Sequence, residues 1–164
     1  MAMRRLPKRV VFDPPALIEI NRRRNRDILE FILAEFEVFV PFPSLHAYFL
    51  GKAYLGQNVD EALSKFEEIY RTVYPDRELL IKLVSIEASL IKEGVFMSLE
   101  DLLTGVSAIM AEALLVSTEP ERFKPLKKYG LDCVGLEKFF EEVSELAREE
   151  IKKKKSGAKE STVK

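Results

Sequence analysis

The stretch Val10-Val11-Phe12-Asp13-Pro14-Pro15 limits the fold of this chain more than any other. Two valines and a phenylalanine favour a strand. Proline is tolerated in the first turn of a helix and not further in, where it lacks the N–H and clashes with the preceding turn. The strand must therefore stop at Asp13, and a helix must start directly after it. The Asp13 carboxylate can cap that helix, where the helix dipole favours a negative charge. A strand that runs straight into a helix opens a βα unit, and the rest of the chain keeps that rhythm.

Ala16, Leu17 and Ile20 give the first helix a buried side. Ile28, Leu29, Ile32, Leu33 and Phe36 repeat at helical spacing among acids and predict a second helix. Glu37 to Phe42 reads as a strand, and Pro43-Ser44 starts a third helix that runs toward Leu55 and breaks at Gly56. Asn58 is placed to cap a fourth helix from Val59 to Tyr70, and Thr72-Val73-Tyr74 suits a short extended segment. Asp76 caps a long amphipathic helix that Gly94 ends. Ser98 caps a buried helix with Asp101 as the acid of a capping box. Leu114 to Val116 is a third strand, stopped by Ser117-Thr118-Glu119-Pro120. A last turn and short strand lie between Pro125 and Val134, followed by a helix from Leu136 to Glu150. Strands alternating with helices imply an α/β fold, with short parallel strands covered on both faces. In such sheets a ligand site lies beyond the carboxyl ends of the strands. Asp13 and Glu119 both fall there.

The chain has 164 residues, 47% hydrophobic and 32% charged, which suits one domain with one core and argues against disorder throughout. A formal net charge of -1 excludes a globally basic nucleic-acid binder while leaving local patches open. Cys133 is the single cysteine, so no intrachain disulfide forms, and a small buried thiol is expected. No apolar run reaches the ~18 residues of a membrane helix, and no signal-type core follows the basic N-terminus. A cytoplasmic protein is expected. Gln57 is the only glutamine, while Lys, Arg and Glu abound, a composition that leans toward a thermophilic source. Residues 1–8 read as a tail, 9–150 as the domain, and 151–164 as a lysine-rich disordered tail.

Four stretches, in this order, resemble the PIN domain family across Val10 to Val143. They are Val-Val-Phe-Asp13; Val-Phe-Val-Pro-Phe-Pro-Ser-Leu-His-Ala-Tyr-Phe-Leu-Gly51; Ser-Leu-Glu-Asp101-Leu-Leu-Thr-Gly-Val-Ser-Ala108; and Leu-Leu-Val-Ser-Thr-Glu119-Pro-Glu-Arg-Phe123. The resemblance implies a three-layer α/β/α fold around a short, mainly parallel sheet. It also implies metal-dependent endoribonuclease activity on single-stranded or structured RNA, like that of the toxin half of VapBC-type toxin–antitoxin pairs. A homodimer and a small antitoxin partner are implied with it. Asp13, Asp101 and Glu119 would be the catalytic residues and the ligands of Mg²⁺ or Mn²⁺. The residue types suit that chemistry: hard cations prefer oxygen, and a bound ion can supply hydroxide and neutralise charge on the phosphate. Clustered carboxylates raise one another's pKa unless a cation joins them.

The chain departs from the family at three points. Counting five residues on from Pro43 puts Tyr48 where the family has a glutamate, and tyrosine is neutral at pH 7. Pro15 stands where a small polar residue is usual, and Glu119 where aspartate is commoner. These departures suit a second reading, a degenerate PIN domain that binds RNA or protein without cutting. A third is an unrelated α/β interaction domain in which Asp13 and Asp101 are helix caps and Glu119 a turn residue. Glu100 or Glu112 would replace the lost carboxylate if their helix were rotated. The single histidine, His46, reads as packed or surface-exposed. Arg22-Arg23-Arg24 with Arg26 could hold phosphates or form a solvated helix face. Lys152 to Lys155 reads as solvating. Phe31, Phe36, Phe39, Phe42 and Phe49 look like core or dimer surface, not a base-stacking box.

Overall fold

The computed structural model of the chain describes residues 6–160. Five strands, β1 (Arg9–Phe12), β2 (Glu37–Pro41), β3 (Arg71–Val73), β4 (Leu114–Ser117) and β5 (Asp132–Gly135), form one parallel sheet in the order β3-β2-β1-β4-β5. Seven helices connect and cover them: α1 (Pro14–Ile20), α2 (Arg26–Glu35), α3 (Phe42–Tyr54), α4 (Val59–Glu67), α5 (Arg77–Lys92), α6 (Leu99–Met110) and α7 (Leu136–Glu160). Short 3-10 segments occupy Arg23–Asn25 and Pro120–Tyr129.

Strand parity sorts the core into two layers, because neighbouring side chains of a strand point to opposite faces. Val10 and Phe12 of β1, Val38 and Val40 of β2, and Leu114 and Val116 of β4 face α1, α2, α3, α4 and α7. Val11 and Leu115, between them, face α5, α6 and the second 3-10 segment. The result is the three-layer α/β/α arrangement. Phe139 of α7 is fully buried and meets Phe12 edge to face, with ring centroids 5.8 Å apart. At the β3 edge an Arg71–Glu37 ion pair at 3.0 Å puts charge where an unpaired strand would otherwise invite another chain.

The caps agree closely with the sequence. Asp13, Asn58, Asp76 and Ser98 each accept a hydrogen bond from a backbone N–H in the first turn of α1, α4, α5 and α6. Gly94 takes φ 74° after α5, a left-handed position that suits glycine. Three boundaries differ from expectation. Helix α4 stops at Glu67, because Arg71 already pairs with Phe39 in the sheet. The segment after Pro120 is helical of the 3-10 kind, with Pro125 inside it. Helix α7 runs past Glu150 to Glu160, carried by Glu and Lys, which are good helix formers. Residues 1–5 and 161–164 of the two expected tails lie outside the described residues. No helix among the described residues is long and apolar enough to cross a membrane.

The chain lays down β1, β2 and β3 in one direction and then β4 and β5 in the other. The switch point lies between β1 and β4. A crevice forms there beyond the strand ends, since the connections depart to opposite sides.

Candidate active site

Asp13 leaves β1 at that switch point and is buried, 3% exposed. Both of its oxygens are engaged. Oδ1 accepts from the Ala16 N–H at 2.9 Å, and Oδ2 accepts from the Ser117 hydroxyl at 2.5 Å. The Asp13 N–H donates to the Val116 carbonyl at 3.1 Å, which locks β1 to β4. Burial pushes the Asp13 carboxyl above its ordinary value. The bonds from Ser117, Ala16 and Thr118, and then the charge of Arg122, pull it back. The fully buried Ser44 near the start of α3 donates to the Phe12 carbonyl at 2.7 Å and fixes that helix against the same strand end.

From Ser117 the network runs on to Asp101. Ser117 Oγ accepts from the Glu119 N–H at 2.9 Å, and the Glu119 carbonyl accepts from the Arg122 N–H at 3.1 Å. The Arg122 guanidinium then grips the Asp101 carboxylate, with Nη2 at 2.8 and 2.9 Å from its two oxygens and Nε at 3.3 Å from Oδ2. Asp101, Glu119 and Asp13 all act on the Arg122 charge. Only Asp101 is in contact with that guanidinium; Glu119, whose side chain is exposed, and Asp13 act on it at longer range. Asp101 is not a reciprocal capping-box acid: its backbone N–H meets Ser98 Oγ, but its side chain turns to Arg122.

Tyr48 does not face this crevice. Its ring packs 5.2 Å from Phe49 and 5.3 Å from Phe66, with Lys52 Nζ 5.3 Å above it. That places it in a separate 520 Å³ pocket between α2, α3 and α4. There Tyr70 donates its hydroxyl to Asn21 Oδ1 at 3.1 Å, and burial pushes its pKa up to about 12. The residue of α3 that lines the crevice is Ala47, one position earlier, beside Pro14, Pro15 and Thr118 in a cleft of 1050 Å³. Pro15 thus lies on the cleft wall. No carboxylate comes from α3 at all. Glu100 is exposed on the neighbouring face of α6, and Glu112, also exposed, sits before β4, at the opposite end of the sheet from Ser117. Neither lines the cleft. His46 is exposed.

Arg22 and Arg24 line the same cleft, where both pair with Glu19. Arg26 pairs with Glu30 at 3.0 Å instead, along α2. The partly buried thiol of Cys133 is pushed up to about 12, first by burial and then by the charges of Asp13, Asp132 and Glu121, so it is a poor nucleophile. Among the described residues no group of three or more His, Cys, Asp or Glu side chains is set to hold a metal ion. The sequence pointed to Asp13, Asp101 and Glu119 as candidate acids. It did not point to Ser117, Ser44 or Arg122, whose roles rest on contacts with distant segments.

No family model matches the chain. It is 34% identical over 146 residues to a VapC ribonuclease of Pyrococcus furiosus, an alignment that covers 89% of this chain and 98% of that protein. Its fold is similar to VapBC from Salmonella typhimurium bound to DNA, with a TM-score of 0.62 and 13% identity, covering 79% of this chain and 99% of that one. It is also similar to VapBC-1 from nontypeable Haemophilus influenzae, with a TM-score of 0.59 and 18% identity, covering 78% and 98%.

Proposed function

The chain belongs to the VapC family of PIN-domain ribonucleases, and on that premise we propose that its switch-point cleft hydrolyses RNA phosphodiesters as the toxin of a toxin–antitoxin pair. The carrying observation is that the buried Asp13 stands at the switch point beside Pro14 and Thr118 of a 1050 Å³ cleft, and that a hydrogen-bonded chain through Ser117 and the Glu119 backbone reaches Arg122, which holds Asp101. Asp13 is the fixed point of the reaction. Two donors hold it in place, and its desolvation makes it a better proton acceptor than a free aspartate although those donors pull the other way. Arg22 and Arg24 on the cleft wall suit the RNA phosphates, toward which they would turn from Glu19.

Family membership also implies Mg²⁺ or Mn²⁺. The donor type suits such an ion, since carboxylate oxygens are its preferred ligands. The arrangement does not: Asp101 gives both oxygens to Arg122, and α3 offers Ala47 in place of an acid. The same two facts favour a second reading, a cleft that binds RNA or protein without cutting.

An antitoxin partner that covers the cleft fits the relatives solved as VapBC complexes. A homodimer fits the outer face of α5, where Leu80, Ile81, Val84 and Ile91 stand about half exposed in one stripe.

The test is cleavage of an unstructured fluorescent RNA by the purified chain, with Mg²⁺ or Mn²⁺ supplied, against the Asp13→Asn variant. Cleavage lost in the variant supports a ribonuclease. Equal cleavage by both proteins would place the activity elsewhere, and RNA binding without cleavage would favour the second reading.

A further inference from the structure

We propose that Arg122 withholds Asp101 from divalent cations, so that Asp101 takes such an ion only when the arginine lets go. The inference rests on Asp101 belonging to the ribonuclease site proposed above. The geometry of one pair carries it. A guanidinium that meets a carboxylate with Nη2 on both oxygens and Nε on one neutralises its charge and occupies most of its roughly four lone-pair sites. Asp101 has little other freedom, with its side chain only 17% exposed, whereas that of Arg122 is 45% exposed.

That difference in exposure makes the arrangement a latch. The Arg122 backbone is fixed by its bond to the Glu119 carbonyl, but the outer part of the side chain borders solvent and can swing away. While it stays, its single charge answers Asp101 directly and Glu119 and Asp13 at longer range. Mg²⁺ and Mn²⁺ ask for close, well-directed oxygens. The guanidinium and the ion therefore compete for the same two atoms.

The test is calorimetric titration of MnCl₂ into the full chain with no RNA present, for the wild type, Arg122→Gln, Asp101→Asn and the double variant. Arg122→Gln is expected to tighten Mn²⁺ binding by about tenfold or more, the scale of a charge-assisted hydrogen bond given up. Asp101→Asn alone is expected to change binding by less than about threefold, because Asp101 is already engaged; in the double variant the gain is expected to vanish. Arg122→Lys keeps the charge but lacks the fork, and its expected affinity lies between the two; it serves if Arg122→Gln does not fold. Unchanged or weaker binding in both Arg122 variants overturns the proposal. So does a gain that survives Asp101→Asn, since Arg122 would then act only as a distant like charge. The titration reads no cleavage, so its failure leaves the ribonuclease reading standing, and an inactive enzyme leaves the titration readable.

Discussion

The two halves of the candidate acidic site are held by opposite means. On the β1 side, Asp13 is buried and receives its hydrogen bonds from neutral donors, Ala16 N–H and Ser117 Oγ–H. On the α6 side, Asp101 is held by a cation, the part-exposed Arg122. Neutral donors inside a core fix a carboxylate without cancelling its charge. A guanidinium near solvent cancels the charge but holds less firmly, because water and salt compete for both partners. The first half supplies a carboxylate fixed in place, and the second a carboxylate that can be covered or bared.

Asp13→Asn strikes the fixed half hardest. It should lower RNA cleavage by about 10³-fold, the scale of losing a positioned acid–base group, while a thermal melt shows the fold retained. Cleavage rates within a few-fold of wild type would erase the difference between the halves.

Ser117→Ala comes next. It leaves a buried carboxylate oxygen without its donor, at a cost of about 1–3 kcal/mol in urea unfolding near neutral pH. Burial already lifts the Asp13 carboxyl, and loss of Ser117 lifts it further. The native state then holds its proton more tightly than the unfolded chain does, so stability is regained as pH falls through the native pKa. The deficit should narrow toward acid pH. One that widens there would mean that Ser117 does not act through the charge on Asp13.

A smaller effect should come from Gly105→Ala. A Cβ there would sit 2.2 Å from Leu126 Cδ1, on the segment that also carries Arg122. Leu126 is fully buried and has little room to turn aside. The crowding should exceed the ~1 kcal/mol that alanine gains in a helix, leaving a net loss of about 1 kcal/mol in chemical denaturation. Stabilisation instead would show that the Arg122 segment yields easily.

Smallest of all, Asp101→Asn should change stability by about 0.5 kcal/mol and lose even that at molar salt, as a part-exposed ion pair does. A loss comparable to that of Ser117→Ala would make both halves equally firm.

The same division separates the legible part of the site from the hidden part. Pro14 and Pro15 force a helix to begin after Asp13, so the fixed half could be read locally, cap included. Ser98 announced the start of α6, and with it the position of Asp101. The covered half was invisible, because Arg122 reaches Asp101 across 21 residues through a 3-10 segment that its prolines made look like a turn. Counting from Pro43 put Tyr48 toward the site. The helix begins at Phe42, and packing of Tyr48 on Phe49 and Phe66 fixes its rotation so that Ala47 faces the cleft instead. Rotation of a helix is a property of what it packs on, and a count along the chain does not contain it. Ser117 and Ser44 carry no signature beyond being serines near strand ends; burial alone gives their hydroxyls a role.

The bond from Ser117 to Asp13 closes a loop of 104 residues. During synthesis, then, a ribosome that has made β1, β2 and β3 has made no working cleft. The catalytic pocket arises only when β4 emerges and docks beside β1, a late and long-range event. A translation product cut short before that strand would lack both the Ser117 bond that holds Asp13 and the Thr118 wall of the cleft.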